Sequence, residues 1–235
     1  MNTALTINWK GTASTALAGL MISELPPISK PEMRVDRTEI DGRDGDIVDE
    51  LGYAAYKKTV RVGLTTGYDI DAIAKYFTGT GNLTLSNEDD KYYKARITSQ
   101  VDFEKLLRFK TADVEFEVQP YKYKLSESDV DLTISGETSV AVTNAGLEES
   151  KPLIRLEGSG TIELTVGGLS VFSIDIDAGD GYVLVDSEAL DAYVTAGLRN
   201  NNMTGDFPTL QPGSNTIGWT GTLTRIVVTP RSRWL

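Results

Sequence analysis

Alternation of apolar and polar positions dominates the first half of the chain. Leu5, Ile7 and Trp9 alternate with polar neighbours, and Val60, Val62 and Leu64 do so again. Tyr93, Ala95 and Ile97 follow the same rule, as do Ala112, Val114, Phe116 and Val118. Successive side chains of an extended backbone point to opposite faces, so each set predicts a half-buried strand. Turn signals separate the sets: Asp41-Gly42-Arg43-Asp44-Gly45, Gly79-Thr80-Gly81 and Asn87-Glu88-Asp89-Asp90. One segment departs from the alternation. Ile70, Ile73, Ala74 and Phe77 recur at helical spacing, Asp69 and Asp71 stand where carboxylates complement a helix dipole, and Gly79 offers a stop. A short amphipathic helix over residues 68–77, packed on a sheet, is the expectation.

The texture changes beyond Tyr123. The polar stretch 124–129 reads as an interdomain linker, dividing the chain into residues 1–125 and 126–235. Short runs punctuated by glycine follow at 130–134, 153–156, 161–166, 171–176, 182–185, 216–219 and 223–228. Short strands at regular spacing with turn signals predict a β-sandwich. Asp180-Gly181 is expected to be a hairpin turn between 171–176 and 182–185. A single helical turn is expected at 187–193 and an ordered surface loop at 198–214. The fold class is mainly β.

Composition narrows the chemistry. The chain has 235 residues, with neither cysteine nor histidine. That removes disulfides, thiolate nucleophiles, imidazole bases, and thiolate or imidazole metal sites. Catalysis would be left to carboxylate pairs or to a perturbed Lys or Tyr, and no pair is singled out by sequence, so no enzyme activity is expected. The net charge of −11 is uneven: 17 Lys+Arg stand against 19 Asp+Glu up to Leu125, and 6 against 15 from Ser126 onward. Such a surface repels phosphate, so direct nucleic-acid binding and anionic membranes are not expected. The opening residues lack a basic region followed by an apolar run, and the expectation is assembly in a cytoplasm.

Two candidate sites need weighing. Asp175, Asp177, Asp180 and Asp186 cluster in sequence, but their spacing does not match the helix–loop–helix calcium loop and no bidentate Glu follows. No metal and no cofactor is expected. Trp9, Trp219 and Trp234, with Tyr182 and Tyr193, could form an aromatic platform for sugar rings, although Trp219 alternates with Ile217 as a core residue would. A module binding host-surface polysaccharide is therefore the alternative functional class.

The order of several stretches resembles the distal tail (Dit) family of long-tailed phages. In the first half these are Arg37 through Ile40, Gly42-Arg43-Asp44-Gly45, the strand 56–64, the helix 68–77, Gly79-Thr80-Gly81-Asn82-Leu83, Asp89-Asp90-Lys91-Tyr92-Tyr93-Lys94-Ala95 and the strand ending Phe116-Glu117-Val118-Gln119-Pro120-Tyr121-Lys122-Tyr123. In the second they are Asn144-Ala145-Gly146, Tyr182-Val183-Leu184-Val185-Asp186-Ser187, Met203-Thr204-Gly205-Asp206-Phe207-Pro208, Leu210-Gln211-Pro212-Gly213-Ser214-Asn215 and Val228-Thr229-Pro230-Arg231. The resemblance implies an N-terminal β-barrel-type domain flanked by a helix and a β-hairpin, and a C-terminal galectin-like β-sandwich. It also implies a hexameric ring at the tip of a virion tail, joining the tail tube protein to a tail-associated hub or fibre protein. The sandwiches would project outward, where other members attach receptor-binding proteins. For the ring contacts, the exposed turns Gly42, Arg43, Asp44 and Gly45, and Asn87, Glu88, Asp89, Asp90 and Lys91, are the candidates. Ordinary solvent-facing turns are the competing reading of the same residues.

Overall fold

The computed structural model describes residues 5–235, which divide into two compact units, one running to Leu125 and the other covering Ser126–Trp234. Both are mainly β.

The first unit begins with β1 (Ile7–Trp9), β2 (Thr12–Ala13) and β3 (Leu20–Glu24), followed by β4 (Met33–Glu39), β5 (Asp46–Tyr53) and β6 (Tyr56–Leu64). Helix α1 (Ile70–Tyr76) leads to β7 (Gly79–Leu85) and β8 (Glu88–Ile97), and α2 (Phe103–Phe109) leads to β9 (Thr111–Lys124). Seven of these strands form one antiparallel sheet in the order β2-β1-β7-β8-β9-β6-β3. Its core collects the alternating residues of the sequence pattern: Ile7, Trp9, Val60, Val62, Tyr93, Ala95, Val114, Phe116 and Val118. Trp9 meets Phe116 edge-on at 5.1 Å, an arrangement that brings a positive ring edge to a negative ring face.

Both helices start on an aspartate. Asp69 accepts hydrogen bonds from the Asp71 and Ala72 amides at 3.1 Å, satisfying donors that a first helical turn leaves free. Asp102 accepts from Lys105 N at 2.7 Å. The expected turn at Gly79–Gly81 is instead the start of β7, paired Gly79↔Ile97 through Gly81↔Ala95. Gly81 is glycine because a Cβ there would lie 2.4 Å from Lys10 Cγ, so the missing side chain makes room across the sheet. In β9, residues 119–121 stand against the single residue Lys94 of β8, two more than the register needs, because Tyr93 pairs with Lys122 and Ala95 with Val118. Pro120, which has no N–H to give a ladder, sits in this bulge.

The second unit contains β10 (Val130–Thr133), β11 (Ser139–Asn144), β12 (Leu153–Val166), β13 (Leu169–Ile176), β14 (Tyr182–Asp186), β15 (Asp191–Val194), β16 (Gly197–Leu198), β17 (Met203–Gly205) and β18 (Gly213–Thr229). All nine belong to one sheet. Its spine is the long pair β12–β18. The runs 153–156 and 161–166 are one continuous strand, as are 216–219 and 223–228, each bent near its middle. Gly158 and Gly221 permit the bend: a Cβ at Gly158 would fall 2.2 Å from the Thr222 carbonyl oxygen, and Gly221 holds φ +93°.

Shorter strands follow the bent spine in two segments on each side. Along β12, Thr161–Val166 pair with β13 and Leu153–Glu157 pair with β14. Along β18, β10 and β11 divide the length in the same way. The turn at Asp180-Gly181 therefore joins two strands that lie end to end along β12, and it is not a hairpin between paired neighbours. The curled sheet closes on a single core that includes Ile154, Leu156, Ile162, Leu164, Phe172, Ile174, Ile217, Trp219, Ile226 and Val228. The expected helical turn at 187–193 resolves into a turn followed by β15, with Leu190 at φ +58° making the reversal. Within the expected surface loop at 198–214, Asn200–Asn202 form a 3-10 turn and β17 pairs with β13.

Candidate assembly surfaces

Strands β4 and β5 form a two-stranded sheet of their own, off the main sheet of the first unit. Every residue from 34 to 52 is exposed. Val35, Ile47, Val48 and Leu51 are among them. The candidate residues Gly42, Arg43, Asp44 and Gly45 lie at the far tip, where both glycines take positive φ (+81° and +78°) to reverse the chain. A lone hairpin is marginal in water at best, because it lacks a covered face. Registration gives the two faces different chemistry. One carries the pairs Val35↔Glu50, Arg37↔Val48 and Glu39↔Asp46, and the other carries Asp36↔Asp49 and Thr38↔Ile47.

The segment that leads into the hairpin is held by polar groups. Lys58 Nζ donates to the Pro27 carbonyl at 3.1 Å, and Asn87 Nδ2 donates to the Pro26 carbonyl at 3.2 Å. Tyr53, at the end of β5, packs edge-on against Tyr121 at 6.2 Å.

The second set of candidate residues is an exposed tip only in part: Asn87, Asp89 and Asp90 are exposed, but Glu88 and Lys91 are not. The turn itself is Ser86-Asn87, since Leu85 already pairs with Glu88, and Glu88, Asp89, Asp90 and Lys91 belong to β8. Glu88 is turned inward. Its carboxylate accepts from Lys122 Nζ at 2.7 Å and from the Tyr93 hydroxyl, and the Glu88 and Lys122 side chains are only 8% and 9% exposed. Lys58, at 1% exposure, lies 4.8 Å from the Tyr93 ring centre. Glu88 thus pairs directly with one buried ammonium, Lys122, and acts on a second, Lys58, through its charge. Burial raises the Glu88 pKa, but Lys122 and the Tyr93 hydroxyl outweigh it and hold the carboxyl below its usual range. Burial likewise pushes the Lys58 ammonium down, only partly offset by Glu88. Asp89 remains exposed, while Asp90 is exposed and pairs with neighbouring Lys91 at 2.6 Å.

A second exposed surface of the first unit is centred on α2, which composition did not single out, although Asp102 followed by Phe103 and Leu106 carries a cap and an i, i+3 apolar pair. Leu107 and Phe109 are exposed, Phe109 at 62%. Arg108 lies over the Phe109 ring at 5.3 Å, and Lys110 lies over the Tyr68 ring at 4.9 Å. Tyr68 is itself 36% exposed.

Of the four candidate aspartates of the second unit, Asp177 and Asp180 both reach Arg199, Asp177 at 3.9 Å, while the other two are held apart from that contact. Asp180 is clasped by Arg199 through contacts of 2.7 and 3.1 Å, and Asp186 by Arg231 at 2.6 and 2.9 Å. Asp175 is exposed on β13. Among the described residues no three Asp or Glu side chains come together to hold a metal ion. The aromatic platform is not assembled either, because Trp9 and Trp219 are buried in the cores of different units. No helix among the described residues is long and apolar enough to cross a membrane.

The fold is of a class found in phage tail hubs and baseplates. In particular it matches the SPP1 Dit (gp 19.1) protein, with a TM-score of 0.70 and 18% identity over 99% of this chain and 100% of that one. That protein is presented as a paradigm of the hub adsorption apparatus in phages that infect Gram-positive bacteria. A chain of the phage P2 baseplate, in its activated conformation with Ca, matches with a TM-score of 0.51 and 10% identity over 96% of this chain and 97% of its own. No protein-family model and no curated protein matches the chain.

Proposed function

We propose that this chain is a structural hub protein of a phage tail tip, with no reaction and no cofactor. Six copies of the unit ending at Leu125 close into a ring. The ring docks on the tail tube protein on one side and on a tail-associated hub or fibre protein on the other. The second unit, a galectin-like sandwich in this reading, projects outward and offers an attachment point for receptor-binding proteins. The likeness to SPP1 Dit over nearly the whole of both chains carries the proposal. The hairpin β4–β5 supports it: a ribbon exposed over residues 34–52 with apolar side chains on both faces has its cover on another molecule. Heterologous contacts that repeat by rotation close into a ring, so one surface on each side of the unit suffices.

Light scattering and negative-stain images of the purified protein test the proposal. A ring of six copies is expected, alone or in the presence of tail-tube and hub partners. A monomer at every concentration, with and without those partners, overturns it.

A further inference from the structure

A head-to-tail ring needs two different surfaces that fit each other, and the first unit exposes two with opposite unmet needs. On β4–β5, Asp36 stands directly opposite Asp49. Like charges facing each other across a ladder repel, and no ion pair reaches either of them among the described residues. Beside them on the same face lies Ile47, exposed at 37%. The whole of β4 through β5, Met33–Tyr53, carries seven acidic against three basic residues. At α2 the situation is reversed. Lys105, Arg108 and Lys110 have no carboxylate partner among the described residues; Arg108 lies over exposed Phe109, Lys110 over half-exposed Tyr68, and Leu107 beside them in the chain is exposed. The acids of that helix, Asp102 and Glu104, lie in its first turn, where Asp102 is engaged as the cap; they line a shallow pocket with Lys105, Arg108 and Phe109, and Lys110 follows beyond the last turn.

We infer that the partner of the Asp36–Asp49 face is the Arg108–Phe109–Lys110 end of α2 on a second copy of this chain. The inference rests on the ring reading above and adds which surfaces meet. Arg108 or Lys110 brought between Asp36 and Asp49 turns a repulsive cross-strand pair into a paired cluster. Ile47 then covers the exposed apolar side of Phe109 and Leu107. Charge complementarity of this kind sets the register and direction of the contact more than its affinity, which fits a ring that must close without slipping. The two faces are different, so the contact is heterologous and propagates round the ring.

Charge reversal followed by mixing tests the contact. One variant carries Asp36→Lys and Asp49→Lys, and the other carries Arg108→Glu and Lys110→Glu. All four side chains are exposed, so far-UV circular dichroism and the unfolding midpoint of each variant should match wild type. Each variant alone is expected to need roughly tenfold or more protein to assemble, because every contact then sets like charges together. Mixed in equal amounts, the two restore alternating rings, since each reversed face meets its reversed counterpart on the neighbour. Rings that form normally from either variant, or a mixture no better than its components, overturn the contact and leave the ring reading standing. Wild-type protein that forms no ring overturns both.

A cysteine pair gives an independent readout, because the chain has no cysteine of its own. Asp49→Cys with Arg108→Cys is expected to yield a ladder of disulfide-linked oligomers under mild oxidation of assembled rings. Rings that yield only monomer after oxidation count against the contact.

Discussion

Two long antiparallel ribbons run through this chain, and the structure surrounds them in opposite ways. The pair β12–β18 is flanked along both edges, by β13 and β14 on one side and β10 and β11 on the other. Its inward residues, from Ile154 to Val228, lie in the core of the second unit. The pair β4–β5 has no flanking strand, and every residue between 34 and 52 is exposed. The flanking strands also take up the outward backbone hydrogen bonds of β12 and β18, whereas the outer edges of β4 and β5 are unpaired among the described residues, so the two ribbons differ in edge pairing as well as in side-chain cover. The comparison teaches where to look for stability and where to look for assembly. Burial of a side chain such as Ile154 stabilises the fold by about 1.5–3 kcal/mol, and the exposed ribbon forgoes that gain until a partner arrives.

The largest effect expected from breaking this contrast is in the covered ribbon. Ile154→Ala removes a fully buried side chain from β12 and leaves a cavity beside β14 and β18. The loss should be about 4 kcal/mol, read as a lowered urea midpoint for the second unit. A loss below about 1 kcal/mol would mean that the curled sheet is not packed as described.

The segment that leads into the exposed ribbon comes next. Glu88→Gln leaves Lys58 and Lys122 buried without a countercharge, at an expected loss of about 3 kcal/mol in the first unit. The pH dependence follows from the direction of the shift. Glu88 has a lower pKa folded than unfolded, so its contribution is present above the ordinary carboxylate range. It is lost as pH falls through the depressed folded value, where the folded state finally takes up the proton. Acid titration of unfolding should therefore show a shallower slope in Glu88→Gln than in wild type. Identical slopes would remove Glu88 from the list of groups that hold the segment leading into the hairpin.

How much of this was legible depended on which faces are covered. Strands β1, β6, β8 and β9 bury one face each, and their period-2 pattern is plain in the residues. Helix α1 announced itself through Asp69 and the Ile70–Ile73–Phe77 spacing. β4 and β5 bury neither face, so nothing forces apolar residues into alternation, and only a resemblance pointed to a hairpin. β12 and β18 read as two strands each because the glycines at their bends look like turn residues. At Gly158 and Gly221 the cause is close approach of the facing strand, where the β12–β18 ladder shifts register without ending either strand. The exposure of the candidate residues was legible in part. The tip Gly42–Gly45 stands exposed as its turn chemistry suggests, but Glu88 is an internal counter-ion, because Lys122 and Tyr93 reach it only once β8 and β9 are paired. Arg108 and Phe109 gave no signal, since a cation beside an aromatic ring is commonplace until both are found exposed.

The smallest expected effect on the fold is also the one that discriminates best between the ribbons. Val48→Ala, on an exposed face of β5, should change the stability of the isolated subunit by about 0.5 kcal/mol or less. Amide exchange makes the same point without a substitution. In the monomer, the β4–β5 amides should exchange far faster than those of β12 and β18, because opening them exposes no core. In an assembled ring they should slow by at least tenfold, while exchange in β12 and β18 stays unchanged. Equal protection of β4–β5 in monomer and ring would mean that the ribbon remains uncovered in the assembly, and that ring closure draws on other surfaces of the first unit.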